Sequence, residues 1–153
     1  RAVPPGALPI CWQQPGLTGE VMVSGWLRSG DLGRLRADGQ LEVLGRCKDI
    51  IRSGGKSVQP GEVEQALLSH GAVREAHVFG LADVEWGEQV CAVVVLEAGQ
   101  VATADALAQH CRGLLSRYKV PKSVELRADP LPVSPAGKVL KRTLREKRGS
   151  AVG

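Results

Sequence analysis

Residues 90–97, with the sequence VCAVVVLE, are apolar without interruption from Val90 to Leu96. The β-branched valines favour an extended strand. Because the apolar residues do not alternate with polar ones, both faces of this strand must be covered by other parts of the chain. We therefore predict that this strand is the centre of the hydrophobic core.

The segments on either side of this strand predict the rest of the domain. Residues 73–81 (VREAHVFGL) indicate a second strand, and residues 123–127 indicate a short edge strand. Thr103 is placed to cap a helix that continues to about Arg117. Its inner face is predicted to comprise Leu107, Cys111, Leu114, Leu115 and Tyr118. A further helix is expected from Pro60, with carboxylates in its first turn, to near Gly71.

The N-terminal third contains a β-hairpin signal. Two short alternating stretches within residues 32–44 flank Asp38-Gly39, a dipeptide typical of tight hairpin turns. Residues 20–24 also alternate like a strand, and residues 1–18 are predicted to be a loop or a weakly ordered lead-in. A short basic helix is expected over 139–147. The predicted fold is α+β, with an N-terminal β-hairpin and a small mixed sheet of about three strands packed with helices.

The composition excludes several classes of protein. The 153 residues are 43% hydrophobic and 24% charged, enough for an ordinary core without disulfides or metals. The four cysteines, Cys11, Cys47, Cys91 and Cys111, lack zinc-ligand spacing, so we predict no metal site and reduced, mostly buried thiols of a cytoplasmic protein. The apolar run at Val90 is too short for a membrane span.

The positive charge is concentrated near the C-terminus. The net charge is +4, but residues 138–148 contain six basic residues and one acid, which leaves 14 basic and 15 acidic residues elsewhere. A diffuse basic surface for nucleic acid is therefore not indicated, and the function of this one segment becomes the main question.

Three segments together resemble the C-terminal part of the adenylate-forming superfamily, which includes acyl- and aryl-CoA synthetases. They are GWLRSGDLG at residues 25–33, GRCKDIIRSGG at 45–55 with PGEVE at 60–64, and LPVSPAGK at 131–138. The resemblance covers about residues 25–148. It implies that 1–24 are a poorly defined lead-in, 25–46 a hairpin at the end of a large-domain region, and 47–153 a mobile C-terminal domain.

The resemblance also implies a two-step reaction. A carboxylic acid attacks ATP to give acyl-AMP and pyrophosphate, and the thiol of coenzyme A then takes the acyl group. The partner would be an N-terminal domain of the same enzyme, outside these 153 residues. This domain would bind the carboxylic acid and would supply most of the contacts to the magnesium ion. The chain alone is expected to be inactive, with no nucleic-acid partner.

Individual site residues follow from the resemblance. Asp31 corresponds to the acid that accepts hydrogen bonds from the nucleotide ribose, although an Asp after Gly30 also suits a plain turn. Arg46 corresponds to a nucleotide-binding arginine, and an exposed cation is the common alternative. Lys48 occupies the hinge position at which the domain rotates, with Asp49 as the neighbouring choice.

A second group of residues is implied to line the channel for the pantetheine arm of coenzyme A. Gly54 and Gly55 would let the backbone approach the arm, although two glycines also suit an ordinary turn. Trp86 would line the channel, whereas a loop tryptophan is commonly a packing residue. Lys119 and Lys122 would meet the phosphates of the coenzyme, while lysines near a helix C-terminus are also favoured by its dipole.

Lys138 corresponds to the catalytic lysine of the superfamily, which bridges the substrate carboxylate and the α-phosphate during adenylation. A solvated lysine of a basic helix is the alternative. Ala136 stands where relatives carry Ser or Thr, and Val133 where Arg or Lys is common. A longer segment that relatives insert between residues 23 and 26 is missing.

Two other functions remain open from the sequence. One is an adenylation domain that loads the thiol of a carrier protein instead of coenzyme A. The other is a non-catalytic module in which residues 138–148 bind nucleic acid or an acidic partner, with an affinity that falls steeply with salt and has no special dependence on Lys138.

Overall fold

The computed structural model describes residues 13–24 and 26–129, which form two compact units. The first unit ends at Lys48 and the second begins at Asp49. The predicted basic helix at 139–147, the LPVSPAGK segment and Lys138 lie outside the described residues, as does the first part of the lead-in.

The first unit opens with a short helix and a small strand pair. Helix α1 spans Pro15–Val21, followed by β1 (Met22–Val23) and β2 (Trp26–Leu27), which pair antiparallel. The prediction of a strand over residues 20–24 and of a loop up to residue 18 is therefore wrong in part. Pro15 begins the helix because its fixed φ and missing N–H suit the first helical turn, and this local signal outweighs the alternation that follows.

The predicted hairpin is confirmed in this unit. Strand β3 (Asp31–Leu35) pairs antiparallel with β4 (Leu41–Arg46), and Leu35 lies opposite Leu41 at the turn. The N–H of Gly39 donates to the carbonyl of Arg36 at 3.0 Å, with Gly39 at φ +81°, a conformation that glycine adopts without strain. A one-turn 3₁₀ helix, Cys47–Asp49, follows.

The second unit is built on a mixed sheet centred on the strand that the sequence singled out. Its strands are β5 (Ile51–Ser53), β6 (Lys56–Val58), β7 (Val73–Asp83), β8 (Gly87–Leu96) and β9 (Ser123–Arg127). The order is β6-β5-β8-β7, all antiparallel, and β9 runs parallel to β8 along residues 91–95. The mixed sheet is confirmed, but it has five strands instead of about three. Strands β5 and β6 are too short to show a period of two in the sequence.

Two helices cover one face of the sheet. Helix α2 spans Pro60–Leu68 and α3 spans Ala104–Leu114, and a 3₁₀ helix, Arg117–Lys119, follows α3. The predicted cap is present, since the Thr103 side chain accepts from the N–H of Ala106 at 3.1 Å. The prediction that Leu114 faces inward is wrong. Its side chain is exposed, because α3 ends at Leu114 instead of near Arg117 and the chain is extended at Leu115.

The core occupies both faces of β8, as predicted. On the helix-covered face Val90, Ala92 and Val94 pack with residues of α2 and α3. On the other face the buried cluster consists of Phe79, Cys91, Val93 and Val95, with Leu81 packed against it. Two of the three cysteines in the described part of the chain, Cys91 and Cys111, are buried, and burial raises the pKa of the Cys111 thiol. None of the described helices is long and apolar enough to cross a membrane.

Candidate functional site

A groove of about 460 Å³ lies on the surface of the second unit. It forms where the β5–β6 turn, the β7–β8 loop and the 3₁₀ helix after α3 come together. Among the described residues it is lined by Ser53, Lys56, Trp86, Val90, Arg117, Tyr118, Val120 and Lys122. Three of these eight side chains are cationic and none is acidic. The groove therefore combines aromatic and aliphatic surface with positive charge.

Trp86 is held in the groove by backbone and side-chain hydrogen bonds. The Asp83 carboxylate accepts from the N–H groups of Glu85 and Trp86, at 3.0 and 2.9 Å, so one side chain orders the whole β7–β8 loop. The carbonyl of Trp86 in turn accepts from the N–H of Gly54 at 2.9 Å. These bonds fix the tryptophan against the β5–β6 turn.

The β5–β6 turn requires glycine at its first position. Gly54 has φ +56°, and a Cβ there would lie 2.7 Å from Cε3 and 2.9 Å from Cζ3 of Trp86. Gly55 has φ +75°, with nothing within 4 Å of its Cβ position. The sequence prediction placed Gly54, Gly55 and Trp86 in one channel; in the structure Gly54 packs against the Trp86 ring, and Gly55 follows it in the same turn. The contact is close because the missing side chain of Gly54 makes room for the indole ring.

Lysine ammonium groups lie over both aromatic rings of the groove. Lys122 Nζ is 4.1 Å from the centroid of the Trp86 ring, and Lys56 Nζ is 4.6 Å from that of Tyr118. The backbone N–H of Lys122 donates to the carbonyl of Val90 at 2.9 Å, which anchors this lysine beside β8. Cation–π attraction keeps each ammonium group at the groove instead of extended into solvent.

Lys119, the other predicted cation, has a carboxylate partner. Its Nζ lies 2.6 and 2.8 Å from the two carboxylate oxygens of Glu62 in α2. The hydrogen bond with Glu62 raises the pKa of Lys119. The ammonium group is 5.7 Å from the Tyr118 centroid, but its charge is largely balanced by Glu62. Lys122 is thus the better placed of the two predicted lysines to attract an anion into the groove.

The predicted nucleotide residues form a pair in the first unit. Arg46 Nε lies 3.0 Å from Asp31 Oδ1, since the two residues face each other in the β3–β4 register. Arg46 also donates to the carbonyl of Ser29 at 3.1 Å, and the Ser29 hydroxyl accepts from the N–H of Asp31 at 3.2 Å. Both charged side chains are accessible to solvent.

The predicted hinge residues, Lys48 and Asp49, are consecutive residues of the 3₁₀ helix Cys47–Asp49. The first unit ends with Lys48 and the second starts with Asp49. Lys138, the predicted catalytic lysine, is outside the described part of the chain.

Sequence reasoning missed three of the five charged or aromatic residues that line the groove. Lys56 follows the two glycines, and Arg117 and Tyr118 belong to the 3₁₀ helix after α3. Tyr118 was assigned to the inner face of α3, and it does pack partly against the core while it also lines the groove. The available signal was composition, because the single tyrosine of the chain stands between Arg117 and Lys119.

Similarity to known proteins assigns the chain to the adenylate-forming superfamily. Residues 62–138, half of the chain, match the family described as the AMP-binding enzyme C-terminal domain. The chain belongs to this family.

Curated relatives and solved structures extend the match beyond those residues. The chain is 38% identical over 141 residues to the long-chain-fatty-acid–CoA ligase FadD13 of Mycobacterium tuberculosis, covering 92% of this chain and 28% of the ligase. It is 41% identical over 133 residues to a 2-succinylbenzoate–CoA ligase of a Geobacillus species, covering 87% and 27%. The chain therefore spans less than a third of the length of these relatives.

Superposition on solved structures agrees with these sequence matches. Superposition on ATP-bound MatB from Rhodopseudomonas palustris gives a TM-score of 0.81 at 34% identity, covering 89% of this chain and 27% of MatB. The o-succinylbenzoate CoA synthetase MenE of Bacillus subtilis, in complex with its acyl-adenylate intermediate, gives 0.76 at 40% identity, covering 82% and 25%.

Proposed function

We propose that this chain is the C-terminal part of an ATP-dependent acyl- or aryl-CoA ligase. The observation that carries the proposal is the groove lined by Trp86 and Lys122, with Gly54 packed against the Trp86 ring. Relatives named as CoA ligases, at 38% and 41% identity, support the same reaction class. The larger protein would convert a carboxylic acid and ATP into acyl-AMP, then transfer the acyl group to coenzyme A.

The groove suits the chemistry of coenzyme A. The coenzyme combines an extended arm with amide groups, an adenine ring and several phosphates. Lys56, Arg117 and Lys122 supply positive charge for the phosphates, and the Trp86 and Tyr118 rings supply apolar surface. The N–H of Gly55 and the open space at its Cα would allow the backbone to approach the arm.

ATP is proposed to use the first unit. The Asp31 carboxylate can accept hydrogen bonds from two vicinal ribose hydroxyls, and Arg46 would orient it and approach the phosphates. The magnesium ion of ATP is proposed to be held mainly by the N-terminal domain, and no group of three His, Cys, Asp or Glu side chains suited to a metal occurs within 13–24 and 26–129.

The two half-reactions require two positions of the C-terminal domain, for which we propose Lys48 and Asp49 as the hinge. The coincidence of these residues with the unit boundary supports this proposal. Lys138 is proposed to enter the site during adenylation. The proposed partners are the N-terminal domain and the two substrates, without nucleic acid, and the proposed location is the cytoplasm.

Lys138→Ala in the full-length ligase tests the proposal. ATP–pyrophosphate exchange should fall about 100- to 1,000-fold, because a preorganised cation is lost from the transition state. Thioester formation from supplied acyl-AMP should be largely retained. Lys147→Ala, which removes a charge of the same basic segment, is the control and should leave both half-reactions unchanged.

Three outcomes would contradict the proposal. Equal loss of both half-reactions in Lys138→Ala would remove the specific role of this lysine. Acyl-AMP that is transferred to a carrier protein but not to coenzyme A would favour the carrier-loading alternative. Salt-sensitive binding of duplex DNA, equal in both variants and without adenylation, would favour the basic module.

A further inference from the structure

Glu88 makes an uncommon contact at the start of β8. Its carboxylate Oε2 accepts a hydrogen bond from the backbone N–H of Arg52 at 2.6 Å, across 36 residues of sequence. Arg52 is the central residue of β5, and the next residues along the chain are Ser53 and the two glycines of the groove turn. The carboxylate therefore contacts the strand that carries this turn.

The contact replaces a backbone bond of the sheet. Strands β5 and β8 pair at one position only, Ser53 opposite Gly87, so Arg52 and Glu88 would form the next pair of the ladder. The N–H of Arg52 instead meets the side chain of Glu88. A carboxylate acceptor gives a stronger hydrogen bond than a neutral carbonyl.

A glycine in β7 makes room for this carboxylate. Gly80 is buried and lies opposite Val90, two residues from Glu88 in β8. A Cβ at Gly80 would lie 2.6 Å from Glu88 Oε1, 2.9 Å from Cδ and 3.1 Å from Ile51 Cγ2. The backbone of Gly80 is not in the left-handed region, so a side chain at this position would conflict with the Glu88 carboxylate and Ile51, and not with the backbone conformation.

We infer that Glu88 is a positioning residue for the Gly54–Gly55 turn of the groove. Its carboxylate accepts from the N–H of Arg52 in β5, and the carbonyl of Trp86 accepts from the N–H of Gly54, the first glycine of the turn. These two bonds attach the β5 side of the turn to the β7–β8 hairpin. The consequence for thioester formation rests on the proposed function, because it requires coenzyme A to bind along this turn.

The geometric part is tested on the 153-residue chain by NMR. Glu88→Ala should shift the amide resonances of Gly54 and Gly55, and Gly80→Ala should do the same because its methyl group displaces the carboxylate. Glu88→Gln keeps an oxygen acceptor for Arg52 and should remain close to wild type. Glu97→Ala, beyond the other end of β8, is the carboxylate control. Unchanged Gly54 and Gly55 resonances in both alanine variants would overturn the inference.

The functional part is tested by kinetics of the full-length ligase. Glu88→Ala should lower kcat/KM for coenzyme A about tenfold, as expected for a lost hydrogen bond to a charged group, while the adenylation rate stays within about twofold. Glu88→Gln should restore most of the loss. Adding Gly80→Ala to Glu88→Ala should lower kcat/KM by less than Gly80→Ala does alone, because both changes remove the same carboxylate contact and only the 3.1 Å approach to Ile51 Cγ2 remains.

The outcomes separate the inference from the proposed function. If wild type forms no acyl-CoA, the proposed function fails, and the NMR readout still decides the role of Glu88 in holding the turn. If wild type forms acyl-CoA and Glu88→Ala has wild-type kinetics with coenzyme A, the inference is wrong and the proposed function stands. An equal loss in both half-reactions would indicate general destabilisation and would also overturn it.

Discussion

Replacing Gly54 by alanine tests the close contact at the centre of the groove. A Cβ at this position would lie 2.7 and 2.9 Å from two atoms of the Trp86 ring, whereas ordinary contacts begin at 3.4 Å. The ring is partly exposed and can move outward. We expect Gly54→Ala to displace Trp86 and so to separate it from the ammonium group of Lys122.

The expected loss of unfolding free energy in Gly54→Ala has two parts. A non-glycine residue in the left-handed region costs about 1–2 kcal/mol, and Gly54 has φ +56°. Forcing a methyl group against a packed ring adds about 1–3 kcal/mol, less where the ring is free to shift. Gly55→Ala is the matched control, because its φ of +75° carries the same backbone cost with nothing within 4 Å of the new methyl group.

The assay is chemical denaturation together with fluorescence of Trp86 in a background of Trp12→Phe and Trp26→Phe. Gly54→Ala should lower the free energy of unfolding by more than Gly55→Ala does, by about 1 kcal/mol or more. It should also change the native-state emission of Trp86, which Gly55→Ala should leave as in the parent. Equal destabilisation and equal emission in the two variants would refute the packing argument.

Three further predictions follow from single contacts. Thr103→Ala should lower the free energy of unfolding by about 1 kcal/mol through loss of the α3 cap, and Thr103→Ser should restore it, as measured by urea denaturation. Lys119→Met should cost at most about 1 kcal/mol at pH 7, because Glu62 is partly exposed. The fold raises the pKa of Lys119, so the difference in unfolding free energy between wild type and Lys119→Met should be constant up to about pH 10. The difference should vanish as the pH rises through the raised pKa of Lys119. A difference that disappears on acidification to about pH 6 would contradict this prediction. In the full-length ligase, Lys122→Ala should raise KM for coenzyme A more than Lys119→Ala does, and the reverse order would contradict the charge balance with Glu62.

Local sequence patterns were sufficient to predict most of the helices and strands of the second unit. The uninterrupted apolar run of β8, the Thr103 cap and Pro60 at the start of α2 are each encoded within a few consecutive residues, and each appears in the structure. Residues 15–21 and 51–58 were predicted less well. Helix α1 has seven residues and β5 and β6 have three each, too few for a period to separate helix, strand and loop.

The sequence by itself determined the family, the central strand and the residue types of the candidate site, because motifs and hydrophobic patterns are properties of neighbouring residues. Only the tertiary structure decided which of those residues act together. Lys119 and Lys122 are equivalent in sequence, yet the first meets Glu62, 57 residues away, and the second covers Trp86. The pairing of Glu88 with Arg52 and the fit of Trp86 over Gly54 arise in the same way. Such contacts depend on how β5, β7 and β8 are brought together, and no pattern along one segment carries that information.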